Sequence, residues 1–200
     1  MRSIVLANQK GGVGKTTTAI HLAHGFALAG RRVLLLPSAG GEAVQSGEAT
    51  IDTERLKAVV EGLEGEIDVL IVDCPPRMDE WGWAGVQLCD EVIVPVQAEF
   101  FSMHGLSQMM SSLEEAAKRY PGKGKLRGVL PTMVDANEAI ATEILEDLSR
   151  NLKGLLLNSV IFRDSSLVEA ASHGQSVFVH SPWSKGALCY TELVQEIIDG

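Results

Sequence analysis

The sequence predicts an α/β fold in three layers, a mostly parallel sheet with helices on both faces. Two observations carry this. Short β-branched runs alternate with longer helical stretches along the 200 residues. The runs are apolar on both faces, as strands buried in a parallel sheet must be, and the segments between them are long enough for helical crossovers. Those crossovers are expected to be right-handed.

In chain order, residues 4–7 (IVLA) read as the first strand. Residues 16–29 follow as a helix, with Ile20, Ala23, His24 and Ala27 on one face and Gly30 as its stop signal. Residues 33–36 (VLLL) form the second strand. Asp52 caps a helix over 53–63, in which Leu56, Val59, Val60 and Leu63 share helical spacing. Residues 68–73 (DVLIVD) are a strand that ends in a carboxylate and the turn Cys74-Pro75-Pro76. A strand at 91–96 and a helix at 103–120 come next, the helix stopped by Pro121 and Gly122. Strands are expected at 126–133 and 155–162 and helices at 137–152, 165–172 and 185–198. With no repeat, low-complexity tract or linker in view, residues 1–200 are expected to form a single domain. The most loop-like stretch, 38–49, is expected to move or to order only with a ligand or partner.

Composition narrows the function classes. Asp and Glu number 26 against 17 Lys and Arg, a net charge of -9, which argues against a chain-wide positive field for nucleic acid and leaves room for a local basic patch. The three cysteines, Cys74, Cys89 and Cys189, form no CxxC pair. A disulfide framework or zinc site is therefore not expected, and a reducing, cytoplasmic setting fits. No signal peptide is read at the N-terminus, and no apolar run approaches the ~18 residues of a membrane span. The five histidines show no metal spacing, and Met103, Met109 and Met110 read as helix packing. Trp81 and Trp83 stand out in a chain with only 5% aromatics, as core packing or as a partner contact.

The strongest chemical signal is Gln9-Lys10-Gly11-Gly12-Val13-Gly14-Lys15-Thr16. It departs from the phosphate-loop pattern G-x-x-x-x-G-K-S/T only at Gln9, and it lies between a strand and a helix, as that loop requires. Glycines let the backbone curl so that N–H groups face phosphate oxygens, and the helix N-terminus adds partial positive charge. Lys15 would reach the β- and γ-phosphates and Thr16 would ligate Mg2+, with Thr17 behind it. The fold is thus expected to be of the P-loop NTPase type. Asp73, at the carboxyl end of a buried strand, lies where such sheets place ligands and can hold Mg2+ directly or through water. A lone aspartate there is otherwise a turn or cap residue.

The segments NQKGGVGKTTTAIHLA, DVLIVDCPP, CDEVIVPVQAEFFSMHGL and LVEAASHGQSVFVHSPWSKGALCYTELVQEI resemble the ParA family of partition ATPases, in the wider MinD/ParA group. The resemblance is close to full length, with one weak region at about 37–66. It implies ATP and Mg2+ as cofactors, hydrolysis, and an ATP-dependent sandwich homodimer. In that dimer Lys10, the second lysine of a deviant Walker A loop, reaches the phosphates held by the other subunit; locally, Lys10 also simply adds positive charge. Lys10, Lys15 and Asp73 are then the catalytic set. A ParB-type adaptor, non-specific DNA and nucleoid association are implied as well. No N-terminal helix-turn-helix region is read in this chain, which argues against sequence-specific autoregulation. By position, Thr132 and Met133 match one adenine loop. Asp164, where relatives often carry Asn, falls in the other and keeps only acceptor capacity. Arg163 and Lys185 match DNA-binding positions, and Lys123, Lys125 and Arg127 form a separate basic cluster.

The chain departs from its relatives after the second strand. Pro37 and Ala39 stand where the family carries two aspartates, one of which positions water or metal. Slow hydrolysis follows, unless Glu42 or Glu48 substitutes. Rival readings are an ATP-binding scaffold with little hydrolysis, a MinD-like positioning protein, a carboxylate-activating amidase or synthetase, and a nitrogenase-type iron protein. Against the last, neither Cys74 nor Cys89 has a cluster-binding setting. Against a membrane role, residues 191–200 carry Glu192, Glu196 and Asp199 and no Lys or Arg.

Overall fold

The computed structural model describes residues 1–38, 52–76, 80–98 and 102–200. Five strands, β1 (Arg2–Leu6), β2 (Val33–Leu36), β3 (Val69–Asp73), β4 (Glu91–Gln97) and β5 (Lys125–Thr132), pair in the order β2-β3-β1-β4-β5. Every pairing is parallel. The helices are α1 (Lys15–Leu28), α2 (Thr53–Gly62), α3 (Glu80–Leu88), α4 (Ser102–Arg119), α5 (Ala139–Leu152), α6 (Ser165–Ser172), α7 (Val177–His180) and α8 (Lys185–Asp199).

Strand alternation divides the core into two. Val5, Leu70, Val72, Val92, Val94 and Val129 face one side, where Val86 of α3, Met109 and Leu113 of α4 and Leu148 of α5 cover them. Ile4, Leu6, Ile71, Ile93 and Leu130 face the other, against Leu22 and Phe26 of α1 and Tyr190, Leu193 and Ile197 of α8. This is the apolar-on-both-faces pattern that the runs foretold. Met109 is fully buried and Met110 packs against the same cluster, as does Trp83. Met103 and Trp81 have side chains outside the described residues, as does His104.

Two expectations need correction, and one helix was not anticipated. The segment 155–162 is not a ladder strand. It joins the edge through isolated bridges at Leu156 to Val129 and Phe162 to Val134 and a bond from Ile161 N–H to the Pro131 carbonyl (2.9 Å), not through a continuous ladder. The reason is local: the Glu196 carboxylate takes the backbone N–H groups of Asn158 (2.7 Å) and Ser159 (2.8 Å), and these are then lost to the sheet. Residues 80–88 form a helix that its two glycines disguise. Gly85 is there for space, since a Cβ would come within 2.7 Å of the Cys74 sulfur. Helix α5 starts later than Asn137, because Asp135 Oδ1 accepts the Asn137 N–H (3.0 Å) and holds that stretch as a turn. The expected loop-like stretch and the residues Ala39, Glu42 and Glu48 lie outside the described residues.

At the far end of the sheet from the strand C-termini, Arg2 grips Glu91 with two bonds (2.8 and 2.9 Å) and donates to the Ile197 carbonyl of α8. Glu196 also accepts from the Asn158 amide and the Ser159 hydroxyl. Burial pushes its carboxyl up, but the bonds from Ser159 and Asn158 win and hold it below its ordinary 4.5. A group with a depressed folded-state pKa stabilises above its unfolded value and loses that contribution as pH falls through the folded value. Glu196→Ala is therefore expected to lower stability by about 1 kcal/mol at neutral pH, after allowance for solvent screening. Urea unfolding at pH 7 and pH 3 should show the gap to wild type narrowing in acid.

Candidate functional site

The site sits at the carboxyl end of β1, in the middle of the sheet. Ile4, Val5 and Leu6 are completely buried, and the chain leaves the sheet through Ala7 and Asn8 into the glycine loop. Gly12 and Gly14 have φ of 75° and 86°, a left-handed conformation that glycine adopts without a Cβ clash. Gly14 is also the N-cap of α1 and supplies no side-chain cap, and the first turn of the helix holds no acidic residue. The positive end of α1 is thus open to an anion.

Two side chains at the end of this loop find partners across the site. Lys15 is 6% exposed, and its Nζ donates to the Lys10 carbonyl (2.9 Å) across the loop. Burial pulls its pKa below the ordinary value, while the charge of Asp73 acts in the other direction. Thr16 donates its hydroxyl to Asp73 Oδ2 (2.7 Å). Asp73 is 5% exposed, and its Oδ1 is buried with no hydrogen-bond partner among the described residues. Burial raises its carboxyl pKa, opposed by Thr16, the Ser38 backbone amide and Lys15. A hydroxyl, a carboxylate and an orphaned carboxylate oxygen side by side are hard oxygen donors of the kind Mg2+ takes, so the residues present fit that ion.

The parallel register explains the meeting. Leu6 lies opposite Asp73, so the last residue of β1 and the last residue of β3 end level with each other. Gly11 then passes Pro76, where a Cβ would meet the proline ring carbon at 3.7 Å. Lys10 is exposed, with its backbone amide donating to Asn8 Oδ1 (2.9 Å).

Thr132, at the end of β5, lies under the loop. Its hydroxyl donates to the Val13 carbonyl (3.0 Å), and its methyl is the nearest contact to Gly14. Met133 has φ of 55°, and its carbonyl accepts from Arg163 Nε (3.1 Å). Asp164 caps α6, with Oδ1 accepting from Ser166 N–H (2.9 Å) and Oδ2 from Gly186 N–H (2.6 Å) at the start of α8. Both its oxygens are thus engaged. Burial acts to raise its carboxyl, but these backbone bonds hold it below the ordinary carboxylate range. Lys185 places its ammonium 3.7 Å from the centre of the Phe162 ring. Met133, Arg163, Asp164 and Lys185 therefore form one neighbourhood, joined to the loop through Thr132. The separate cluster is not a free patch: Lys123 pairs with Asp90 (2.6 Å), and Arg127 faces Glu91 (3.5 Å).

Two residues that brace the loop were not anticipated. Asn8 spans from Lys10 N–H to the Pro95 carbonyl of β4 (2.7 Å). The signal was available: it is a polar residue that directly follows an apolar strand. His21 hydrogen-bonds through Nδ1 to the Thr17 carbonyl (2.6 Å), and its Nε2 accepts the Val177 N–H (3.0 Å). That pattern requires a neutral ring with its proton on Nδ1. Burial lowers its pKa accordingly, and the ring stacks on Tyr190. Nothing in the spacing of the histidines signalled this.

Comparisons with known proteins show the family and the fold. Residues 4–177 match the family model described as the CobQ/CobB/MinD/ParA nucleotide binding domain. The chain is 28% identical to the sporulation initiation inhibitor protein Soj of Bacillus subtilis, covering 97% of both chains. It is 29% identical to the chromosome-partitioning ATPase Soj of Thermus thermophilus, covering 99% of this chain and 96% of that one. Among solved structures it superimposes on cobyrinic acid a,c-diamide synthase from Mycobacterium smegmatis, which holds ADP and magnesium. The TM-score is 0.77 at 24% identity, over 99% of this chain and 94% of that one.

Asp73→Asn tests the oxygen donor set. Calorimetric titration with a non-hydrolysable triphosphate should show that added Mg2+ no longer strengthens binding, while Mg2+-free affinity stays within a few-fold of wild type. An unchanged Mg2+ effect would remove Asp73 from the site.

Proposed function

Since the chain belongs to the CobQ/CobB/MinD/ParA nucleotide-binding domain family, we propose that it is a ParA-type partition ATPase. In this reading it binds ATP with Mg2+, pairs with a second copy around the nucleotide, and engages non-specific DNA and a ParB-type adaptor to move or position a cargo. The observation that carries the reading is the pairing of Thr16 with the buried Asp73 beside a buried Lys15, while Lys10 stands exposed on the same loop.

The roles follow from position. Loop N–H groups and the open end of α1 receive the phosphates. Lys15 exchanges its bond to the Lys10 carbonyl for β- and γ-phosphate oxygens. Thr16 and Asp73 would hold Mg2+, which neutralises the charge that develops as the γ-phosphoryl group transfers to water. Lys10 reaches the phosphates of the other subunit, so closing the pair brings a second cation to the same charge. Met133 and the neighbourhood of Asp164 border the base. Because both Asp164 oxygens already accept backbone amides, its contact with an adenine amino group uses their remaining lone pairs. Arg163 and Lys185 take DNA phosphates.

Hydrolysis is slow in this reading. Of the two family aspartates replaced after β2, the second, which positions water or metal, falls at Ala39, and alanine offers no group to hold the attacking water. An ATP-binding scaffold with little turnover is the limiting case of the same argument. A membrane-positioning role is disfavoured by α8. Its apolar face, Leu193, Val194 and Ile197, is buried against the sheet, and its last turn has no basic residue.

Light scattering with and without ATP and Mg2+ is expected to show doubling of the mass with nucleotide. Lys10→Ala should bind ATP within a few-fold of wild type yet stay monomeric. Retained pairing would overturn the cross-subunit role. In a phosphate-release assay, turnover should lie well below the 1–100 s⁻¹ of typical phosphoryl-transfer enzymes, on the order of 0.01 s⁻¹ or less without partner.

A further inference from the structure

The most exposed large apolar side chain of the described residues lies beside the two proposed DNA cations. Trp183 is 97% exposed. Such a ring gains nothing from the fold, and the chain has only three tryptophans. Its turn is held in place: Ser184 N–H donates to the Ser181 carbonyl (3.0 Å), and the Ser184 hydroxyl caps α8 through Ala187 N–H (3.1 Å). Two residues on, Lys185 sits over the Phe162 ring, and the residue after Phe162 is Arg163, anchored on the Met133 carbonyl. An outward indole thus lies two residues before one exposed, anchored cation, which sits on the ring adjoining a second in the chain. Two carboxylates of this part of the fold are already engaged. Asp164 accepts the Ser166 and Gly186 amides, and Glu169 faces His180 (3.7 Å).

Resting on the DNA-binding reading above, we propose that Trp183 is an aromatic contact to duplex DNA, lying against bases or sugars in a groove while Arg163 and Lys185 hold flanking phosphates. The argument is chemical complementarity. Two cations alone give a weak, wholly ionic hold in a chain of net charge -9. An apolar ring that partly enters a base step adds affinity that does not depend on counterions and does not read sequence, because every step offers apolar faces. A partner that bound the ring through apolar surface alone would have no use for the cations.

The two kinds of contact separate in a salt titration. With ATP and Mg2+ present, Trp183→Ala is expected to weaken binding to a random-sequence duplex roughly tenfold, with the slope of log affinity against log salt unchanged. Trp183→Phe should recover most of the loss. Arg163→Ala and Lys185→Ala should each lower affinity and flatten the slope by about one unit per neutralised phosphate. In a W81F/W83F chain, Trp183 emission should be quenched as the duplex is added. Wild-type affinity in Trp183→Ala together with unmoved emission overturns the proposal while leaving DNA binding in place. Absence of any duplex binding by wild type overturns the DNA reading itself. Loss of the ATP-dependent mass doubling in Trp183→Ala would assign the ring to contact between copies and also overturn the proposal.

Discussion

The register between β1 and β3 is what the site depends on. Parallel strands end at the same side of a sheet, and here they end level: Leu6 stands opposite Asp73. That one alignment places the root of the glycine loop next to a carboxylate and lets Thr16 reach it at 2.7 Å. A slip of one residue would point Asp73 to the other face of the sheet, into aliphatic packing. The register is secured well away from the site by the strand interiors, which are apolar on both faces and admit no water. The chemistry at the top of the sheet is therefore held by packing in its middle.

The buried polar groups obey the same economy. Lys15, Asp73 and Thr132 are each under a tenth exposed, and each is tied to the loop or to its neighbour. Among these three, Asp73 Oδ1 alone lacks a partner within the described residues, and it lies beside the Thr16 hydroxyl where a cation would sit. Burial acts in opposite directions on the two charged members, lowering the lysine and raising the aspartate, and the attraction between them offsets part of both costs.

Most of the sheet and the phosphate loop were legible in the sequence because both rest on local rules. A β-branched run states its own burial, and glycines before a lysine and a hydroxyl state their own turn. What was not legible depended on distant partners. The segment 155–162 has the composition of a strand and loses that character to Glu196, 37 residues from Ser159. The glycines of α3 look like helix breakers until the Cys74 sulfur is seen against Gly85. Thr132 reads by position as a base contact, and only the fold shows its hydroxyl committed to Val13. His21 appears inert in a linear pattern, because its two partners lie four residues back and 156 residues ahead.

The bond from Lys15 to the Lys10 carbonyl has a kinetic meaning. An ammonium that already spans the loop, with the Lys10 carbonyl oxygen as its acceptor where an anion's oxygen would sit, keeps the curl from collapsing or splaying. Binding of a phosphate group there would swap one oxygen partner for another without having to organise a floppy chain, since the loop's conformational entropy is lost on folding and not again at each encounter. For a nucleotide-binding domain, such a loop leaves the on-rate to diffusion and to the field at the mouth of the helix.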